Sequence, residues 1–317
     1  MRWGIFSGML WGLDTVILGI TLGMATFSHA NSPLLTAALH DSFCAILMLV
    51  LMASKGRLTD TRQALHTRAG KAVIGAALLG GPIGMSGYAL AINNIGSGYT
   101  AILSTFYPAL GTFLATVFLK ERMRVRQLMA LTVALIAIII LGSSSLDSTT
   151  GSIPLGILGA VLCIVGWGSE AVILAWGMRD DAVDNHVALH LRQSTSGLAF
   201  LLIVIPVSGN LSALSAVVST PASAIIVLAA LAGTASYLFY YRAINTIGAA
   251  RAMALNISYS AWAIIFAIPL MAVLPSIFDV IGCLVILIAT VLAASSQWRE
   301  LIQFPSQKSP NKPENTE

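Results

Sequence analysis

The chain has 317 residues, 57% hydrophobic and only 9% charged, with a mean hydropathy of +0.86. Soluble domains average about 25% charged residues, so this composition excludes a water-soluble globular protein and leaves a polytopic membrane protein. The net charge of +4 then bears on membrane orientation, not on nucleic acid.

A helix needs about 20 apolar residues to cross a bilayer, and hydropathy divides the chain into ten such segments. They lie near 3–27, 34–53, 72–92, 98–119, 126–145, 153–177, 187–207, 221–244, 249–273 and 277–297. The first is followed by Ser28-His29-Ala30, which resembles a cleavage site, but it is long for a signal peptide and carries Trp11 and Asp14. It is read as a retained helix. Its Trp11-Gly12-Leu13-Asp14 returns in the sixth segment as Trp167-Gly168-Ser169-Glu170. A carboxylate in hydrocarbon costs roughly 2.5–3.5 kcal/mol, so a duplicated one marks a pathway or a binding site. Cys44, Cys163 and Cys283 lie in apolar stretches without metal-ligand spacing, and neither a disulfide nor a metal site is expected. From about residue 301 the sequence turns polar and rich in Pro, Lys and Asn, the composition of a disordered tail.

The chain also repeats itself. Ala91-Ile92-Asn93-Asn94-Ile95-Gly96 reappears 152 residues later as Ala243-Ile244-Asn245-Thr246-Ile247-Gly248, and the same register pairs Tyr107 with Tyr259. Residues 1–147 and 148–300 are thus two five-helix repeats, with 301–317 as the tail. Five is odd, so the halves insert in opposite orientations, and inverted repeats place their substrate site near the bilayer midplane between the halves. Arg2, the run from Lys55 to Lys71, the cluster Lys120 to Arg126, Arg179, Arg242, Arg251 and Arg299 all fall on one side of successive spans. The positive-inside rule makes that side cytoplasmic, with both termini there.

Intramembrane acids flanked by aromatics suit a small organic cation. A quaternary ammonium has no N–H to donate, so aromatic faces and a carboxylate hold it, each desolvated cation–π contact giving about 2 kcal/mol. Three contacts and a carboxylate suffice for micromolar binding, about −8 kcal/mol. Trp11, Trp167, Tyr107, Tyr240, Tyr259 and Trp262 are the candidate cage walls, with Tyr237 and Tyr241 offering further faces. Glu170 is the candidate counter-ion and Asn256 a partner for a substrate hydroxyl. Any one aromatic can equally be packing or an interfacial belt, although Tyr107 lies mid-span. Asp14 is a candidate proton site under the like charge of Glu170. His40-Asp41 and Arg192-Gln193 occupy equivalent places in the two halves, which makes an Asp41–Arg192 ion pair a candidate for coupling or for structure. Asn93, Asn94 and Asn245 are read as helix caps, and Gly4, Gly8 and Gly12 as close helix packing. No nucleophile–base pair or ATP-binding motif is visible, so neither an enzyme nor a cofactor is expected.

Ten spans as five plus five, with Lys120-Glu121-Arg122 closing the fourth, resemble the drug/metabolite transporter superfamily of the EamA type. Gly81-Pro82-Ile83-Gly84-Met85, Trp167-Gly168-Ser169-Glu170, Tyr107-Pro108-Ala109 and Leu255-Asn256-Ile257-Ser258-Tyr259 are most similar to its LicB-type choline permeases. Asp14 departs from their pattern, as does Met271-Ala272-Val273 where the first half has Lys-Glu-Arg. The resemblance implies an importer of choline or a similar cation in a bacterial cytoplasmic membrane, working by alternating access, without a cofactor and with protons as the candidate coupling ion. The superfamily also implies an alternative, an exporter of amino acids or related metabolites.

Overall fold

Within hydrocarbon every backbone N–H and C=O must find a partner in the chain, and long apolar runs meet that demand as helices. The computed structural model describes residues 1–27, 31–143, 151–295 and 298, and every regular element among them is helical. Among the described residues ten helices are long and apolar enough to cross a membrane. They are α1 Arg2–Leu22, α2 Ser32–Ser54, α3 Arg68–Gly96, α4 Tyr99–Leu119, α5 Val125–Ser143, α6 Ile153–Gly177, α7 Asn185–Val207, α8 Pro221–Ile247, α9 Ala249–Met271 and α10 Ile277–Ala294. The expected tail and the 147/148 boundary lie outside the described residues.

Local chemistry sets the ends. The first span stops at Leu22, not near 27, because the chain leaves the helix at Gly23 and turns through a 3-10 segment at Ala25–Phe27. Thr67 starts α3 earlier than hydropathy suggests, its hydroxyl accepting from the Gly70 N–H. Asp184 caps α7 by accepting from His186 and Val187, and Ser276 with Asp279 forms a reciprocal capping box on α10. Asn94 does not cap its own helix as expected. It sits inside α3, donating to the Leu90 carbonyl and accepting from the Ser152 N–H just before α6.

The two halves form inverted five-helix repeats, and the backbone keeps the 152-residue register even where the side chains have diverged. Gly96 (φ 80, ψ 165) and Gly248 (φ 87, ψ 161) break the chain alike between α3 and α4 and between α8 and α9. Lys120 (φ 59) and Ala272 (φ 54) end α4 and α9 in the same left-handed conformation. Packing obeys the same exchange. α3 lies on α6 as α8 lies on α1, α4 on α6 as α9 on α1, while α2 meets α7 and α5 meets α10. Gly4, Gly8 and Gly12 of α1 bring its backbone against Leu255, Ser258 and Trp262 of α9, as small residues do in membrane helix pairs. Phe118, Leu202, Leu274, Ile277 and Phe278 are exposed around the outside, the surface expected to face lipid.

Candidate functional site

The centre of the bundle holds a cavity whose walls come from both repeats. Trp11 of α1, Tyr107 of α4, Trp167 and Glu170 of α6, Tyr237, Tyr240 and Tyr241 of α8, and Asn256 and Tyr259 of α9 all line it. It admits the centre of a water molecule over only about 50 Å³. One water needs about 10–15 Å³ on that measure, so the cavity as it stands has the size of a few waters.

The aromatics hold one another edge to face. Trp11 meets Tyr237 at 5.0 Å and 77°, Trp167 meets Tyr107 at 5.7 Å and 90°, and Tyr237 meets Tyr241 at 6.1 Å and 84°. Edge-to-face pairs fix ring planes, so faces are presented to the cavity before any ligand arrives. Trp167 is fixed further because its indole N–H donates to the Gly80 carbonyl at 3.1 Å. Gly80 lies in a π-helical turn, Leu79–Ile83, that contains Pro82. A side chain at Gly80 would collide with the Glu170 carboxylate, so the missing Cβ is what lets α3 and the acid approach. One wall is polar. The Tyr107 hydroxyl donates to Asn256 Oδ1 at 2.9 Å, Asn256 Nδ2 donates to Ser7 Oγ at 2.9 Å, and Ser236 Oγ donates to the Ser7 carbonyl at 2.8 Å.

Behind the walls runs a buried chain of ionisable groups. Arg192 donates from Nε to Glu170 Oε1 at 2.8 Å and from Nη1 to Asp41 Oδ2 at 3.1 Å, with its guanidinium 4.7 Å from the Tyr237 ring centre. Asp41 also accepts from Ser196, and its other oxygen lies 3.3 Å from His40 Nδ1. His40 Nε2 in turn lies 3.2 Å from Asp14 Oδ1. The order is Asp14, His40, Asp41, Arg192, Glu170. Only Glu170 of the five lines the cavity.

Of the candidates read from the sequence, the structure brings Trp11, Tyr107, Trp167, Glu170, Tyr240, Asn256 and Tyr259 to one cavity, and Asp14, His40, Asp41 and Arg192 to the chain beside it. Trp262 is elsewhere. Its Cβ and the neighbouring backbone of α9 lie against Gly12 of α1, where a side chain would not fit, and its ring meets Phe266. The neighbour of Asp14 is His40, with Asp41 and Arg192 standing between it and Glu170, so the group that faces Asp14 directly is an imidazole and not Glu170. Ser7, Ser236 and Ser196 escaped sequence reading. Ser7 sits between Gly4 and Gly8 and Ser236 just before Tyr237, but a serine within an apolar run gives no signal of which neighbour it meets.

The chain has known relatives. Protein LicB of Haemophilus influenzae is 29% identical over 262 residues, covering 82% of this chain and 85% of its own. A solved crystal structure superposes with a TM-score of 0.67 at 17% identity, covering 92% of this chain and 96% of its own, which supports the fold alone. The EamA-like transporter family model matches residues 1–143 and again 154–295, one match to each five-helix half. With two inverted repeats enclosing a small-molecule cavity, this multi-pass membrane protein belongs to the EamA-like transporter family.

Proposed function

We propose that this transporter imports choline, or a similarly small quaternary ammonium, by alternating access. The observation that carries the reading is a charge count at a caged site. Three acids, Asp14, Asp41 and Glu170, face one arginine and one histidine in a continuous buried chain. With all three acids ionised the chain is one negative charge in excess even when His40 is protonated, and an uncompensated charge in the membrane interior is costly. A cation in the cavity supplies the missing charge beside Glu170, and the surrounding aromatic faces suit a cation with no hydrogen to donate. The Tyr107–Asn256 wall lies where a hydroxyl on the same small ligand would find partners. The likeness to Protein LicB, together with the choline-permease resemblance of the sequence motifs, points the same way.

In this reading both termini face the cytoplasm of a bacterium and the protein lies in its inner membrane. Glu170 faces the substrate, while Asp14 and His40, outside the cavity lining, carry the proton when cation movement is coupled to it. Export of amino acids fits the geometry less well. A zwitterion needs a partner for its carboxylate, and the guanidinium of Arg192 is already bonded to Glu170 and Asp41 and does not line the cavity.

The test is uptake of labelled choline into proteoliposomes containing the purified protein, with unlabelled competitors. Choline and tetramethylammonium-like ions are expected to compete well and neutral amino acids poorly. Absence of choline uptake, with phenylalanine or threonine accumulated instead, overturns the reading.

A further inference from the structure

At the end of α4 a carboxylate of the first repeat bonds the backbone of the second. Where α4 ends, Lys120 turns the chain through its left-handed conformation, and the Glu121 side chain reaches across to the start of α9. Glu121 Oε1 accepts from the Ala249 N–H at 3.0 Å and Oε2 from the Ala250 N–H at 3.1 Å. Gly248 makes this access. Its φ of +87 breaks the helical ladder between α8 and α9, so the first N–H groups of α9 have no carbonyl of their own, and a Cβ there would lie within 2.7 Å of the Glu121 carboxylate. A carboxylate on a helix N-terminus is favoured by the helix dipole as well as by its hydrogen bonds.

The helix so held leads directly to the site. Its first segment, Ala249–Asn256, rises about 10.5 Å and ends, before a turn at Ile257 and Ser258, on the amide that joins Tyr107 to Ser7 in the cavity wall. Ala249, Ala250, Ala252, Met253, Ala254 and Leu255 are all fully buried or nearly so, which makes this stretch of α9 part of the packing between the cavity and the basic end of the bundle. Among the described residues the opposite end shows no such contact. Gly96 repeats the backbone of Gly248, but the residue 152 positions after Glu121 is Val273, which has no carboxylate to offer.

We propose that Glu121 is a one-sided latch that holds the cavity closed toward the basic end of the bundle, and that a ligand passes there only after its carboxylate releases α9. The proposal rests on the transport reading but not on choline as the substrate. Because the partner groups are backbone N–H, the latch depends on a carboxylate of full length at position 121 and on no particular side chain in α9.

The experiment places one reporter thiol at Ala254→Cys and measures its rate of reaction with a membrane-impermeant maleimide, in right-side-out and inside-out vesicles separately. The native Cys44, Cys163 and Cys283 are buried and give the background. Glu121→Gln keeps the size and one acceptor of the side chain while removing its charge. It is expected to raise labelling from the basic side about ten-fold, within the usual range of a conformational coupling, and to leave labelling from the other side unchanged or lower. Glu121→Asp, too short to reach both N–H groups, is expected to fall between parent and Gln, and it replaces Gln if the latter does not run as a monodisperse protein. Monodisperse variants whose labelling matches the parent on both sides overturn the latch, and so does an equal rise from both sides, which marks general loosening. If labelling shifts as expected in a protein that takes up no choline, the latch stands and the substrate reading falls.

Discussion

Residue by residue, the proposed function separates holding a cation from balancing its charge. Trp167 meets the cavity with its ring fixed by Tyr107 and by the Gly80 carbonyl. If it is a cage wall, Trp167→Ala weakens choline binding by about 1–2 kcal/mol, roughly ten-fold or more, while Trp167→Phe loses much less because a π face survives. Calorimetry on both variants decides this, and parental affinity in a well-folded Trp167→Ala leaves the indole as packing only. Glu170→Gln keeps an acceptor for Arg192 Nε but removes the chain's excess negative charge. It is expected to cost about ten- to hundred-fold in choline affinity, the worth of a charged partner. Asp14→Asn changes a group that faces His40 and not the cavity, so binding is expected to persist while the pH dependence of uptake flattens between about pH 5.5 and 8. An Asp14→Asn variant that loses binding as fully as Glu170→Gln would make the two acids a single cation site.

Elements position these residues through breaks as much as through regular helix. The π turn in α3 and the absence of a Cβ at Gly80 together let Glu170 and Trp167 converge on one backbone segment. Spacing alone could not show this. Trp11 and Asp14, Trp167 and Glu170, and Tyr259 and Trp262 are each three apart and share a helix face, yet Tyr259 lines the cavity while the Trp262 ring meets Phe266 instead. Which face meets the cavity is set by the neighbouring helix, and the sequence of one helix does not contain its neighbour. The start of α7, which carries Arg192, depends on Asp184. Burial alone would raise the Asp184 carboxyl, but the Val187 N–H and Arg57 outweigh it and hold it below the usual aspartate range. A lowered folded-state value means the cap stabilises above the unfolded pKa and that its contribution is lost as pH falls through the folded one. Asp184→Ala is therefore expected to lower the unfolding temperature in detergent at pH 7, with the gap to the parent closing below about pH 4. A gap that stays constant with pH would assign the effect to packing.

For the whole molecule, an importer of a cation responds to membrane potential. Inward movement of one charge gains about 2.3 kcal/mol per 100 mV, which supports roughly 50-fold accumulation at equilibrium. Labelled choline in proteoliposomes with an imposed potassium diffusion potential, negative inside, is expected to reach that order and to collapse when the potential is dissipated. Accumulation indifferent to potential would mean that a counter-moving charge accompanies each substrate.

Sequence by itself determined the ten spans, the inverted repeat and the residue types of the site. Hydrophobic length is imposed by the bilayer, a repeat is visible as self-similarity, and an acid within an apolar run stands out whatever surrounds it. Tertiary structure alone decided which of those residues meet. Arg192 bridges Glu170 and Asp41, His40 separates Asp14 from them, and Ser7 reaches Asn256 across 249 positions of chain. Glu121 finds its partners in the backbone of α9. Contacts of this kind depend on the relative placement of helices distant in sequence, and where the partner is a backbone N–H no side chain records it.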